Sequence, residues 1–86
     1  MKSDEIFEVA LDAMRELSAL HPESRPITSA IDQLEYLLAV ARGVQQDRSR
    51  VANINIGIIA VREVEGLDEA AAEKLHEAAY EARSFR

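Results

Sequence analysis

Ile56-Gly57-Ile58-Ile59-Ala60-Val61-Arg62-Glu63-Val64 contains the longest apolar run of an 86-residue chain that is otherwise thick with acid. How this stretch folds decides what the chain is. Counted back to Val51, it offers two patterns. Ile54, Ile56 and Ile58 alternate as a β-strand would, and β-branched residues abound. Val51, Ile54, Ile58, Val61 and Val64 instead share one helix face. Residues 51–64 contain no interior turn pair, which is long for a strand and ordinary for a helix. A lone strand would also need partners that the remaining chain does not offer. The spacing therefore predicts a helix over 51–64, with Ile58, Val61 and Val64 inward. Gly57 costs this helix about 1 kcal/mol relative to alanine. Two uses of Gly57 stay open: close approach of a neighbouring helix, or a flat spot on an exposed face. Gly66 is expected to end the helix in the left-handed conformation.

The flanks read as helices too. Ser3 can cap a helix from Asp4, with Ile6, Phe7, Ala10, Leu11, Met14 and Leu17 at helical spacing. His21-Pro22 opens a break that extends through Ser24, Arg25 and Pro26. A second helix is expected from Thr28 or Ser29, with Ile31, Leu34, Leu37, Leu38, Ala41 and Val44 as its stripe and Gly43 weakening its end. Gln45 to Ser49 reads as a turn, with Asp47 or Ser49 placed to cap the third helix. Asp68 can cap a last helix whose inner stripe is Ala71, Leu75, Ala78, Ala82 and Phe85. Glu69, Glu73, Glu77 and Glu81 form a ladder at four-residue spacing, where like charges repel. That ladder is either a solvated face or a landing strip for a cationic partner. The expected fold is all-α: one domain over 1–86, a small bundle of about four antiparallel helices.

Composition narrows the function. The net charge is −6, with 30% charged residues, which disfavours a nucleic-acid binder and suits a partner with a basic surface. With no cysteine, disulfides, thiol catalysis and cysteine-based zinc sites are excluded. The N-terminus does not read as a signal peptide, and no apolar run is long enough to span a membrane. A cytoplasmic location is expected. His21 and His76 match no metal motif, the serines have no nucleophile pattern, and the three glycines form no phosphate loop. No cofactor, metal or catalytic residue is expected, and the chain does not read as an enzyme. Arg48 and Arg50 around Ser49 form the one small basic cluster, too short for a nucleic-acid patch.

Three pieces in order carry a resemblance: Ser29-Ala30 with Gln33-Leu34-Glu35-Tyr36, then Asp47-Arg48-Ser49, then Ile56 to Glu63, with Ala79-Tyr80 as a fourth. Together they resemble the small helical immunity proteins of bacterial type VI secretion, over roughly residues 4–83. The best-known member neutralises an effector that hydrolyses NAD and NADP. The resemblance implies a stoichiometric inhibitor that binds a toxin domain and blocks its active site, protecting the producing cell. It implies a nucleotide-consuming toxin, an NAD(P) glycohydrolase or a synthetase of alarmone-like nucleotides. The toxin-binding residues expected are Gln33, Tyr36, Arg48, Arg62, Glu63 and Tyr80, the polar or amphipathic members of the matched pieces. Leu34, Ile59, Ala60 and Val61 are expected in the core. The competing reading is a helical adaptor or homo-oligomeric assembly module without a toxin partner. A thin core with an apolar third segment is compatible with a homodimer.

Overall fold

The computed structural model describes residues 1–86 and contains helices and turns but no strand. α1 (Ser3–Leu20) and α2 (Arg25–Ala41) form an antiparallel hairpin. Its register shows in the ion pairs: Arg15 meets Glu35 at 3.1 Å, while Arg42 reaches back to Asp4 at 3.7 Å and to Glu8. These exposed pairs contribute at most about 1 kcal/mol each. The hairpin is held mainly by fully buried Phe7, Met14, Ile27, Leu34 and Leu37.

Both helix starts differ from expectation. Lys2, not Ser3, precedes α1, and the Ser3 hydroxyl donates to Glu81 of the last helix instead of capping. α2 starts at Arg25, ahead of Thr28, because Ser24 accepts the Ile27 N–H at 3.3 Å and Pro26 sits in the first turn. A proline there loses no hydrogen bond and presets the helical φ. The end of α2 also departs from expectation. Gly43 has φ +75°, the Val44 N–H donates to Ala39 at 2.9 Å, and the Gly43 N–H donates to Val40 at 3.1 Å. That is a Schellman closure, so Gly43 ends the helix actively. Val44 lies beyond it, 79% exposed, outside the core stripe expected for it. Gly66 is not in the left-handed region.

The 51–64 stretch is helical but broken. A 3₁₀ turn (Val51–Asn53) leads through extended Ile54 to Asn55, where α3 (Ile56–Ile59) begins and passes directly into a π-helical stretch (Ala60–Val64). With Ile56 inward, Ile58 and Val61 fall roughly 200° and 140° round the helix. They are accordingly 56% and 58% exposed, against the expectation of an inward face, whereas Val64, Ile59 and Ala60 are buried as expected and Ile56 is buried with them. The π stretch has its own logic. In a regular α-helix Glu63 would lie roughly 20° from Ile56 and enter the core. Each π turn takes up about one extra residue. The Glu65 N–H donates to Ala60 at 2.9 Å, five residues back. The widened turn carries Glu63 out to solvent and brings Val64 in.

α4 (Glu69–Ala82) is capped by Asp68, which accepts the Ala71 N–H at 3.1 Å as expected. It buries Ala71, Leu75, Ala78 and Ala82 against α1 and α3. Small residues set that approach: a Cβ on Gly57 would stand 3.3 Å from the Ala79 Cβ. Gly57 thus serves close packing inside the fold. A final 3₁₀ turn (Arg83–Phe85) places Phe85 on Phe7, ring centroids 5.8 Å apart. No helix is long and apolar enough to cross a membrane.

Candidate functional site

Of the six residues expected at a partner, two are internal. Gln33 is 8% exposed and its amide is fully engaged. Its Nε2 donates to Asn55 Oδ1 at 2.6 Å and to Ser29 Oγ at 3.0 Å, while its Oε1 accepts the Asn55 backbone N–H at 2.8 Å. This double contact binds the start of α3 to α2. Tyr36 is 7% exposed, and its hydroxyl donates to the Asp47 carbonyl at 2.8 Å. Arg50 lies 4.7 Å over its ring and pairs with Asp32 at 2.6 Å. Both residues therefore fix loops in the free protein, with no polar edge free for a partner. They were expected at a partner as polar or amphipathic members of the matched pieces, and the contacts with Asn55 and Asp47 that make them internal are not visible in local sequence.

The other four are at the surface. Arg62 and Glu63 project from the π stretch, and neither has an ion-pair or hydrogen-bond partner in the chain. Tyr80 is 74% exposed on α4, with the Arg83 guanidinium 5.7 Å from its ring centroid. Arg48 projects from the 42–50 loop, 5.4 Å over Phe85. No hydrogen bond or ion pair joins any two of the six.

Sequence reasoning missed the apolar part of this surface. Ile58 and Val61 stand exposed on the same side of α3 and the π stretch, and Val61 is not a core residue. No local signal sets this phase: Asn55 precedes Ile56 but its side chain makes no capping bond and is held by Gln33. Asp47 is another local surprise. It caps no helix but accepts the Ser49 N–H at 2.8 Å. That backbone bond, joined by one from the Ser49 side chain, holds its carboxyl below the ordinary value of 3.8.

On α4, Glu69, Glu73 and Glu77 are exposed and unpaired, while His76 lies 2.8 Å from Glu65. Glu65, Glu69, Glu73 and His76 line one depression, and Glu73, Glu77, His76 and Tyr80 line the next, closed by Ile6 of α1. This strip is acidic, open and continuous along α4. No group of three or more His, Asp or Glu has the arrangement of a metal site.

The comparisons with known proteins bear on the fold and the family. The solved structure of Tsi6 from Pseudomonas aeruginosa superimposes with a TM-score of 0.88 at 29% sequence identity, covering 95% of this chain and 85% of that one. No curated protein matches the chain. The sequence model of the Tsi6 family spans residues 2–84. That match extends over all four helices, and the chain belongs to the Tsi6 family, the small helical immunity proteins of type VI secretion.

Proposed function

We propose that this protein binds the active-site region of a cognate type VI effector toxin in the cytoplasm and blocks it stoichiometrically, with no turnover of its own. Membership of the Tsi6 family across residues 2–84 is the observation that carries this reading. The surface supports it. Ile58 and Val61 give apolar contact area flanked by the unpaired charges of Arg62 and Glu63. Arg48 and Tyr80 are free to join them, whereas Gln33 and Tyr36 act by holding Asn55 and the 42–50 loop in place. A standard interface of about 800 Å² per partner would cover about 15% of the 5280 Å² surface. A guard that leaves almost no toxin free requires nanomolar affinity or better, about −12 kcal/mol.

A nucleotide-consuming toxin is the proposed target, first an NAD(P) glycohydrolase. The acidic strip from Glu65 to Glu77 presents negative charge as a dinucleotide does, and would enter a basic active site. Association that slows steeply with salt is expected, and a flat profile would sink the electrostatic part. The functional test is co-expression with the product of the adjacent gene. Growth should be rescued by this chain, and failure to rescue contradicts immunity toward that toxin. The competing reading, a self-assembling module, draws on the same exposed Ile58 and Val61. Light scattering separates the two, since a toxin-free dimer or larger species that buries this pair would favour it.

A further inference from the structure

Arg15, Arg42 and Arg50 each pair with a carboxylate. Arg48, Arg83 and Arg86 do not, and they gather where α4 runs out. Arg83 and Arg86 line a groove with Ile54, Gly57, Ile58 and Ala79. Arg86 also lines the adjoining depression, together with Arg48 and Phe85. Arg25 and Arg62 also lack a carboxylate partner, but they line neither. Solubility of a chain with net charge −6 does not require three unpaired arginines at one end.

Two of the guanidinium groups lie over aromatic rings, Arg48 at 5.4 Å from the Phe85 centroid and Arg83 at 5.7 Å from that of Tyr80. A cation–π contact does not use up the N–H donors of a guanidinium, which match a carboxylate in a planar two-bond fork. Between these groups the groove floor is apolar and shallow. Ile54, Gly57 and Ala79 line it, and Ile58 forms its exposed rim.

We propose that this end of the molecule receives a segment of the toxin carrying a carboxylate beside an apolar side chain. The inference rests on the immunity reading above and adds a second, oppositely charged contact to it. The acidic strip of α4 takes the toxin's basic site, and the arginine groove takes an acidic–apolar segment. Two contacts of opposite sign admit one docking orientation and reject its reverse.

The test uses the full chain and a catalytically inactivated form of the toxin encoded beside its gene, with Kd read by calorimetry. Arg83→Glu with Arg86→Glu should weaken binding by about tenfold or more with the helical circular dichroism unchanged, since both residues are exposed. Ile58→Asp, in the groove rim, should do the same. Arg25→Glu changes net charge equally per site away from the groove and should leave Kd unaltered. Unchanged affinity in the double variant overturns the groove while leaving the immunity reading intact, whatever Ile58→Asp does, because Ile58 also belongs to the apolar contact area proposed above. Equal weakening by Arg25→Glu also overturns it, by reducing the effect to net charge. If wild type does not bind the toxin at all, the immunity reading falls and takes the groove with it. Wild-type binding to a single-stranded oligonucleotide that the double variant loses, with toxin affinity unchanged, reassigns the arginines to phosphate and overturns the proposal.

Discussion

α2 carries its own start and stop signals, whereas the segment from Val51 to Val64 takes its shape from residues far along the chain. Ser24 and Gly43 act within four or five positions to begin and end α2. α3 spans only Ile56–Ile59, far too short to be stable alone. It is fixed by Gln33, 22 residues away, and by the close approach of Gly57 to Ala79. Regular helices pair into a hairpin, and the short π-widened segment packs between α2 and α4 with Ile58, Val61, Arg62 and Glu63 facing solvent. The difference teaches that local signals shape α2, while long-range contacts shape the segment that carries the proposed contact surface. Scaffold variants should act globally, and variants around α3 should act locally.

The largest effect is expected in the hairpin. Phe7→Ala removes a fully buried ring and should cost about 3–5 kcal/mol in denaturant unfolding. Val61→Ala, 58% exposed, should stay within about 0.5 kcal/mol. Similar losses at the two sites would break the distinction. Gln33→Leu keeps most of the volume but leaves the Asn55 N–H without its acceptor, at a cost of about 1–3 kcal/mol. Hydrogen exchange should quicken over residues 56–64 in this variant and stay slow in α1 and the middle of α2. Gly43→Ala forces a left-handed alanine and should cost about 1–2 kcal/mol, unfolding the whole hairpin more readily without selective loosening of α3.

The smallest effect concerns acid. Asp47 has its folded pKa below 3.8, so its ionised form favours the folded loop above that pH. The contribution fades as pH falls below about 3.8, through the depressed folded value. The Ser49 amide resonance should titrate with a midpoint below 3.8 and lose that transition in Asp47→Asn.

This contrast also explains what was legible in the sequence. The helical class followed from three- and four-residue apolar spacing, and Asp68 marked α4 correctly, because those signals are local. Pro26 misled because a proline ends a helix from inside but is harmless in its first turn. The glycine in the left-handed region is Gly43 and not Gly66. A sequence shows that Gly43 and Gly66 can adopt positive φ, while only the closing hydrogen bonds show which one does. The inward face of 51–64 was misplaced because its start depends on the Gln33–Asn55 contact. For the surface, Arg48, Arg62, Glu63 and Tyr80 were found as exposed polar members of matched pieces. Gln33 and Tyr36 look the same in sequence, and only their partners reveal them as internal supports.

Hydrogen exchange of this chain with and without its inactivated toxin tests the division of labour most directly. Added protection over residues 56–64 and along α4 into 83–86, with the outer face of the α1–α2 hairpin unchanged, is the expected result. Protection confined to α1 and α2, with 56–64 exchanging as in the free protein, would contradict it.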